Sequence, residues 1–80
     1  MTKQEIITQL TPIAQDVFDN PELMLTDDLS SANVDTWTSM AFMQFLTAIE
    51  RHFGFKYKIM EILPLHDMGA VIESIQNHVA

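Results

Sequence analysis

The amino-acid sequence predicts an all-α fold: a small four-helix bundle with a long first connection and a short third helix. Three observations carry this. Apolar residues recur at intervals of three and four in three separate segments, the period of a helix that buries one face. Capping residues and breakers stand at the ends of those segments. The one brief alternation, over residues 55 to 57, is too short to build a sheet.

The first helix is expected from Lys3 to about Phe18, where Ile6, Leu10, Ile13 and Val17, with Ile7, Ala14 and Phe18, share a face while Glu5, Gln9 and Asp16 fall elsewhere. Thr2 and Glu5 have the spacing of a capping box. Pro12 removes an interior hydrogen bond, so the helix is expected either to bend there or to begin with a separate first turn.

Residues 19 to 38 are rich in turn and capping types and sustain no period. Connections this long are uncommon in compact domains unless they have a role, and Leu23, Leu25, Leu29, Val34 and Trp37 are placed to pin this one to a core. It is expected to be ordered.

The second helix is expected from about Ser39 to His52, with Met40, Met43, Leu46 (or Phe45), Ile49 and Phe53 spaced for a core face. Gly54 supplies the stop, with Arg51 and His52 in the last turn where positive charge suits the helix end. Residues 55 to 57 lead to a short third helix, about Lys58 to Leu63, cut off by Pro64. The fourth runs from His66 to Val79 on Met68, Val71, Ile72, Ile75 and Val79, with Gly69 tolerated at some cost. Met43, Phe53, Met60 and Met68 are read as core. That assignment turns Phe42 or Phe45 outward, where a partner or an acyl guest could meet it.

Eighty residues suffice for one core and not for two, so residues 1 to 80 read as a single domain. There is no cysteine, which removes disulfides and thiolate metal sites. No secretory pattern and no membrane-length apolar run is found, and a cytoplasmic, monomeric protein is expected. Eleven acids oppose four basic residues, so neither nucleic acid nor an anionic membrane is expected as a partner. Eight of those acids lie in residues 1 to 50 against Lys3 alone, a distribution that either steers a basic partner or serves solubility.

The histidines, His52, His66 and His78, lack ligand spacing, and Asp27, Asp28, Ser30 and Ala32 do not form a calcium loop, so no metal is predicted. With Gly54 and Gly69 as its only glycines, the chain has no phosphate-cradling loop. Nothing sets a base beside a nucleophile, and no enzymatic activity is expected.

One stretch stands apart: Asp35-Thr36-Trp37-Thr38-Ser39-Met40, followed by the apolar helix and its close Glu50-Arg51-His52-Phe53-Gly54. This resembles the acyl carrier protein family, in which an Asp-Ser-Leu or Asp-Ser-Met triplet opens the second helix and a Glu-x-x-Phe-Gly close follows about fourteen residues later. Here Ser39 and Phe53 are fourteen residues apart. Trp37 before the serine resembles stand-alone carriers, and Glu61-Ile62, Leu63-Pro64-Leu65 and Met68-Gly69-Ala70-Val71-Ile72 look like the family's third and last helices, so the resemblance spans essentially the whole chain. Thr38 departs from the pattern, standing where the family usually has an aspartate that helps the transferase and its magnesium ion approach. Ala41 and Phe42 likewise stand where the best-known fatty-acid carriers have acids, which points to a dedicated partner set.

The resemblance implies 4'-phosphopantetheine, donated by coenzyme A and attached covalently to Ser39, with a phosphopantetheinyl transferase and acyl- or aminoacyl-loading and acceptor enzymes as partners. A serine in the first helical turn lies beside backbone N–H groups without intrahelical acceptors, which suits a phosphodiester. Read by position alone, it is equally an ordinary helix-start serine, with Thr38 or Ser39 as cap. The partner surface is expected to combine the acidic loop (Asp27, Asp28, Asp35) with Thr38, Met40 and Phe42, centred near Phe42. The other functional class open to this chain is a non-modified helical interaction domain that retains the carrier scaffold.

Overall fold

The computed structural model describes residues 1 to 79, with helices α1 (Lys3–Val17), α2 (Ser39–Phe53), α3 (Ile59–Ile62) and α4 (Met68–Val79). Thr2 Oγ1 accepts the Glu5 N–H at 3.1 Å, and Glu5 Oε1 accepts the Thr2 N–H at 2.8 Å, which satisfies two donors that a helix start leaves open. Pro12 does not divide α1: the helix runs through it with Pro12 on the exposed side. The chain leaves α1 through Asp19 at φ 50, a left-handed position that aspartate tolerates.

Residues 19 to 38 lie folded onto the bundle. Leu23, Val34 and Trp37 are buried, Leu25 and Leu29 partly so. Their backbone also binds α4, since Leu29 O accepts the Met68 N–H at 2.8 Å and Asp27 O accepts the Gly69 N–H at 3.0 Å. The first N–H groups of α4 are thereby satisfied by the loop, and Asp67 Oδ1 takes the next, from Ala70, at 2.8 Å. Gly69 serves this contact, because a Cβ there would lie 3.0 Å from Asp27 Cβ and 3.2 Å from Asp27 O.

The core joins Ile6, Leu10 and Ala14 of α1, Phe45, Leu46 and Ile49 of α2, and Met68, Val71, Ile72 and Ile75 of α4, with Phe18 at the end of α1. α1 packs on both α2 and α4. The end of α1 meets the start of α2, and the far end of α2 reaches back to α1 through His52 Nε2 and Gln9 Oε1 at 2.8 Å.

The buried face of α2 differs from the expected one. Met40 and Met43 are 72% and 52% exposed, while Phe45 is fully buried and Phe42 half-buried against Trp37. Met60, on α3, is exposed as well, whereas Met68 is in the core and Phe53 packs partly buried against it. Two stripes of α2 have helical spacing, and the one bearing phenylalanines wins. Aromatic rings bury more surface than thioethers and find ring partners in Phe18 and Trp37.

Gly54 ends α2 at φ 78, with its N–H donating to Glu50 O at 2.9 Å. The α3 turn is held by Glu61, whose Oε1 accepts the Lys58 N–H at 2.9 Å and whose Oε2 meets His78 Nε2 at 2.6 Å. These contacts hold the Glu61 carboxyl below the usual carboxylate range, the Lys58 N–H contributing most and His78 next. His78 also stacks on Phe55 with ring centroids 4.1 Å apart. Beside it Tyr57 Oη shares a hydrogen bond with Ser74 Oγ at 2.7 Å, and burial pushes the phenol's pKa up.

Candidate functional site

The start of α2 is built by three neighbours in sequence. Trp37 is only 8% exposed and stacks on Phe18 at 5.0 Å and on Phe42 at 5.5 Å, so it nails the end of the loop to the bundle. Thr36 adds a hydrogen bond from its hydroxyl to Phe18 O at 2.6 Å. Thr38 is the cap: its backbone is extended and its Oγ1 accepts the Ala41 N–H at 3.1 Å. Thr38 is uncharged and still does the structural work of a capping residue.

Ser39 is the first residue of α2 and is exposed. With Thr38 as the cap, its hydroxyl is not needed to close the helix, and among the described residues no side chain hydrogen-bonds it. The N–H groups of Ser39 and Met40 belong to the first turn and have no intrahelical acceptor, so they carry the partial positive charge of the helix start. An anionic group on Ser39 Oγ would meet favourable dipoles there.

A cleft of about 340 Å³ opens at the same point, walled by Trp37, Ser39 and Phe42 on one side and Ile62, Leu65 and His66 on the other. Sequence reasoning missed this neighbourhood, because α3 and the turn after it come beside Ser39 only through the tertiary fold. His66 shares the cleft but makes no hydrogen bond to Ser39 among the described residues.

The remaining candidates have different local partners. Asp27 forms an ion pair with Lys3 at 3.3 Å and packs against Gly69 of α4. Asp28 accepts a hydrogen bond from Thr26 Oγ1 within the loop. Asp35 is exposed four residues before Ser39, and Met40 is exposed immediately after it. Of the two phenylalanines of which at least one was expected to project outward, Phe45 is buried and Phe42 lines the cleft, half-buried under Trp37. The outward apolar side chains of α2 are Met40 and Met43. Among the described residues no group of three or more histidines or carboxylates is arranged to hold a metal ion.

Four helices in this order, a long loop pinned on the core and an exposed serine in the first turn of the second helix make up a carrier-protein architecture. The chain is a strong structural match to the acyl carrier protein fold over most of its length. It superposes on the holo acyl carrier protein from Geobacter metallireducens, solved in solution by NMR, with a TM-score of 0.83 and 28% sequence identity, covering 90% of this chain and 83% of that one. No family model matches the sequence, and no curated protein matches it. The fold is that of a non-catalytic carrier, which supports a general carrier function rather than an enzymatic one.

Proposed function

We propose that this protein carries an acyl or aminoacyl group on 4'-phosphopantetheine attached to Ser39 and delivers it to partner biosynthetic enzymes in the cytoplasm. The observation that carries the reading is an exposed serine, released from capping duty by Thr38, at the first turn of α2 in an acyl-carrier fold. The residues suit the group. The hydroxyl is accessible, the open N–H groups of Ser39 and Met40 favour a phosphodiester, and the cleft beside them offers apolar wall to a chain leaving that point.

When bound, the arm supplies a terminal thiol that holds an acyl group as a thioester and raises its effective concentration at each enzyme. Ser39 acts as an attachment point, Thr38 orders the turn that presents it, and Trp37 keeps that turn against the bundle. Asp35, Thr38 and Met40 lie in the surface a transferase or loading enzyme would meet first.

The test is incubation of the purified protein with coenzyme A, magnesium and a broad-range phosphopantetheinyl transferase. A mass gain of one phosphopantetheine that is lost in Ser39→Ala is the expected result. No gain in the wild-type protein would reject the reading in favour of an unmodified interaction domain, to which the uncharged Thr38 would then be the pointer.

A further inference from the structure

The cleft beside Ser39 is lined by one side chain able to carry positive charge, and the inference drawn from it rests on the carrier reading above. His66 stands on the turn between α3 and α4, on the wall opposite Trp37, Ser39 and Phe42. The turn is fixed on both sides of it. Leu65 before it is buried and donates its N–H to Ile62 O at 3.0 Å, the His66 N–H donates to Pro64 O at 3.0 Å, and two residues on Met68 donates to Leu29 O at 2.8 Å. The imidazole therefore leaves an ordered backbone, and it is exposed at the edge of the cleft. It is also the one histidine whose ring has no hydrogen-bond partner among the described residues, since His52 meets Gln9 and His78 meets Glu61.

The charges around the cleft favour an anion there. The chain has a formal net charge of −7, which by itself repels one, yet no carboxylate lines this cleft and the first turn of α2 contains none. No lysine or arginine lines it either, so His66 is the sole titratable side chain on its walls. The carboxylates next along the chain are engaged elsewhere. Asp67 accepts the Ala70 N–H at 2.8 Å, Glu61 is held by the Lys58 N–H and by His78, and Asp35 lines a separate groove with Asp19 and Val34.

We propose that His66 binds the phosphodiester of the arm on Ser39, an imidazolium N–H donating to a non-bridging phosphate oxygen while the open N–H groups of α2 face the same anion from the other side. A histidine changes charge between about pH 5 and 8, so the contact is an ion pair at the acid end of that range and at most a neutral hydrogen bond at the alkaline end. No covalent bond forms or breaks. His66 sets the direction in which the arm leaves Ser39, across the cleft toward the turn between α3 and α4.

The test uses the full chain loaded from coenzyme A by a broad-range phosphopantetheinyl transferase with magnesium, with loading read by mass and the attached phosphorus read by phosphorus-31 NMR. A phosphodiester lacks the second ionisation, near about pH 6, of a phosphomonoester, so movement of its resonance in that range reports a neighbouring group. The wild-type resonance is expected to shift in a single step between about pH 5 and 8, and the step to be lost in His66→Gln and to shrink as salt is raised. His66→Lys, which stays cationic, should give a resonance that does not move with pH. His52→Gln, at the far end of α2, should leave the wild-type curve unchanged. Far-ultraviolet circular dichroism of the His66 variants should match wild type because the side chain is exposed. A mass gain with a wild-type resonance that stays flat, or with a step that persists in His66→Gln, overturns the contact while the carrier reading stands. Absence of the mass gain overturns both.

Discussion

Replacing Trp37 by alanine should come close to unfolding this domain. The ring is buried between Phe18 and Phe42, with interplanar angles of 15° and 13°. A buried indole of this kind removes roughly 200 Å² from water, which at about 25 cal/mol per Å² is worth roughly 5 kcal/mol. That figure is an upper bound, since the unfolded chain already hides part of the surface. The expected loss is about 3–5 kcal/mol, the usual range for deleting a large buried ring. A domain of this length has a total of roughly 4–12 kcal/mol to lose. Trp37 is the only tryptophan, so unfolding should be followed by far-ultraviolet circular dichroism in urea rather than by fluorescence. Trp37→Phe, which keeps a ring in the stack, should recover most of the loss. Hydrogen exchange should show the Val34 and Trp37 amides, which donate to Ser30 O and Val34 O, losing protection first. A Trp37→Ala variant within about 1 kcal/mol of wild type, with those amides still protected, would refute the anchoring role.

Two glycines should respond to alanine for different reasons. Gly54→Ala meets no atom within 4 Å, so its cost, about 1–2 kcal/mol, comes from the left-handed backbone alone, and Gly54→Asn should be milder. Gly69→Ala gains up to about 1 kcal/mol of helix propensity but pushes on Asp27, whose carbonyl is hydrogen-bonded to α4; a net loss of about 1 kcal/mol is expected, and a stabilised variant in urea titration would contradict the close-approach argument. Acid should loosen α3. Because the Glu61 carboxyl is held below its ordinary value in the folded protein, its contribution is present above the unfolded-chain value and is lost as pH falls through the lower folded one. Amide shifts of residues 58 to 62 should follow that acid transition in the wild type and lose it in Glu61→Gln; identical titrations in the two proteins would dismiss the clasp.

The elements of this protein follow from chemistry that acts within about four residues, which is why they are legible in one dimension. Thr2 and Glu5 close a box across one turn, Gly54 stops a helix because it alone adopts φ 78 without strain, and Pro64 follows α3 because its ring cannot continue a helix. Periodicity likewise assigns α1 and α4 their buried faces, since each has only one apolar stripe. The start of α2 at Ser39 is readable for the same local reason, as a capping threonine precedes an apolar run. Tertiary structure decided what local chemistry leaves degenerate. α2 has two stripes at helical spacing, and only the rings of Phe18 and Trp37, supplied by other segments, select the phenylalanines and leave Met40 and Met43 outside. Gly69 reads as a weak point in a helix until the loop backbone is laid against it. The cleft joining Ser39 to Ile62, Leu65 and His66 exists only because α3 returns to the head of α2, a juxtaposition set by the packing of all four helices and encoded in no short stretch of the chain.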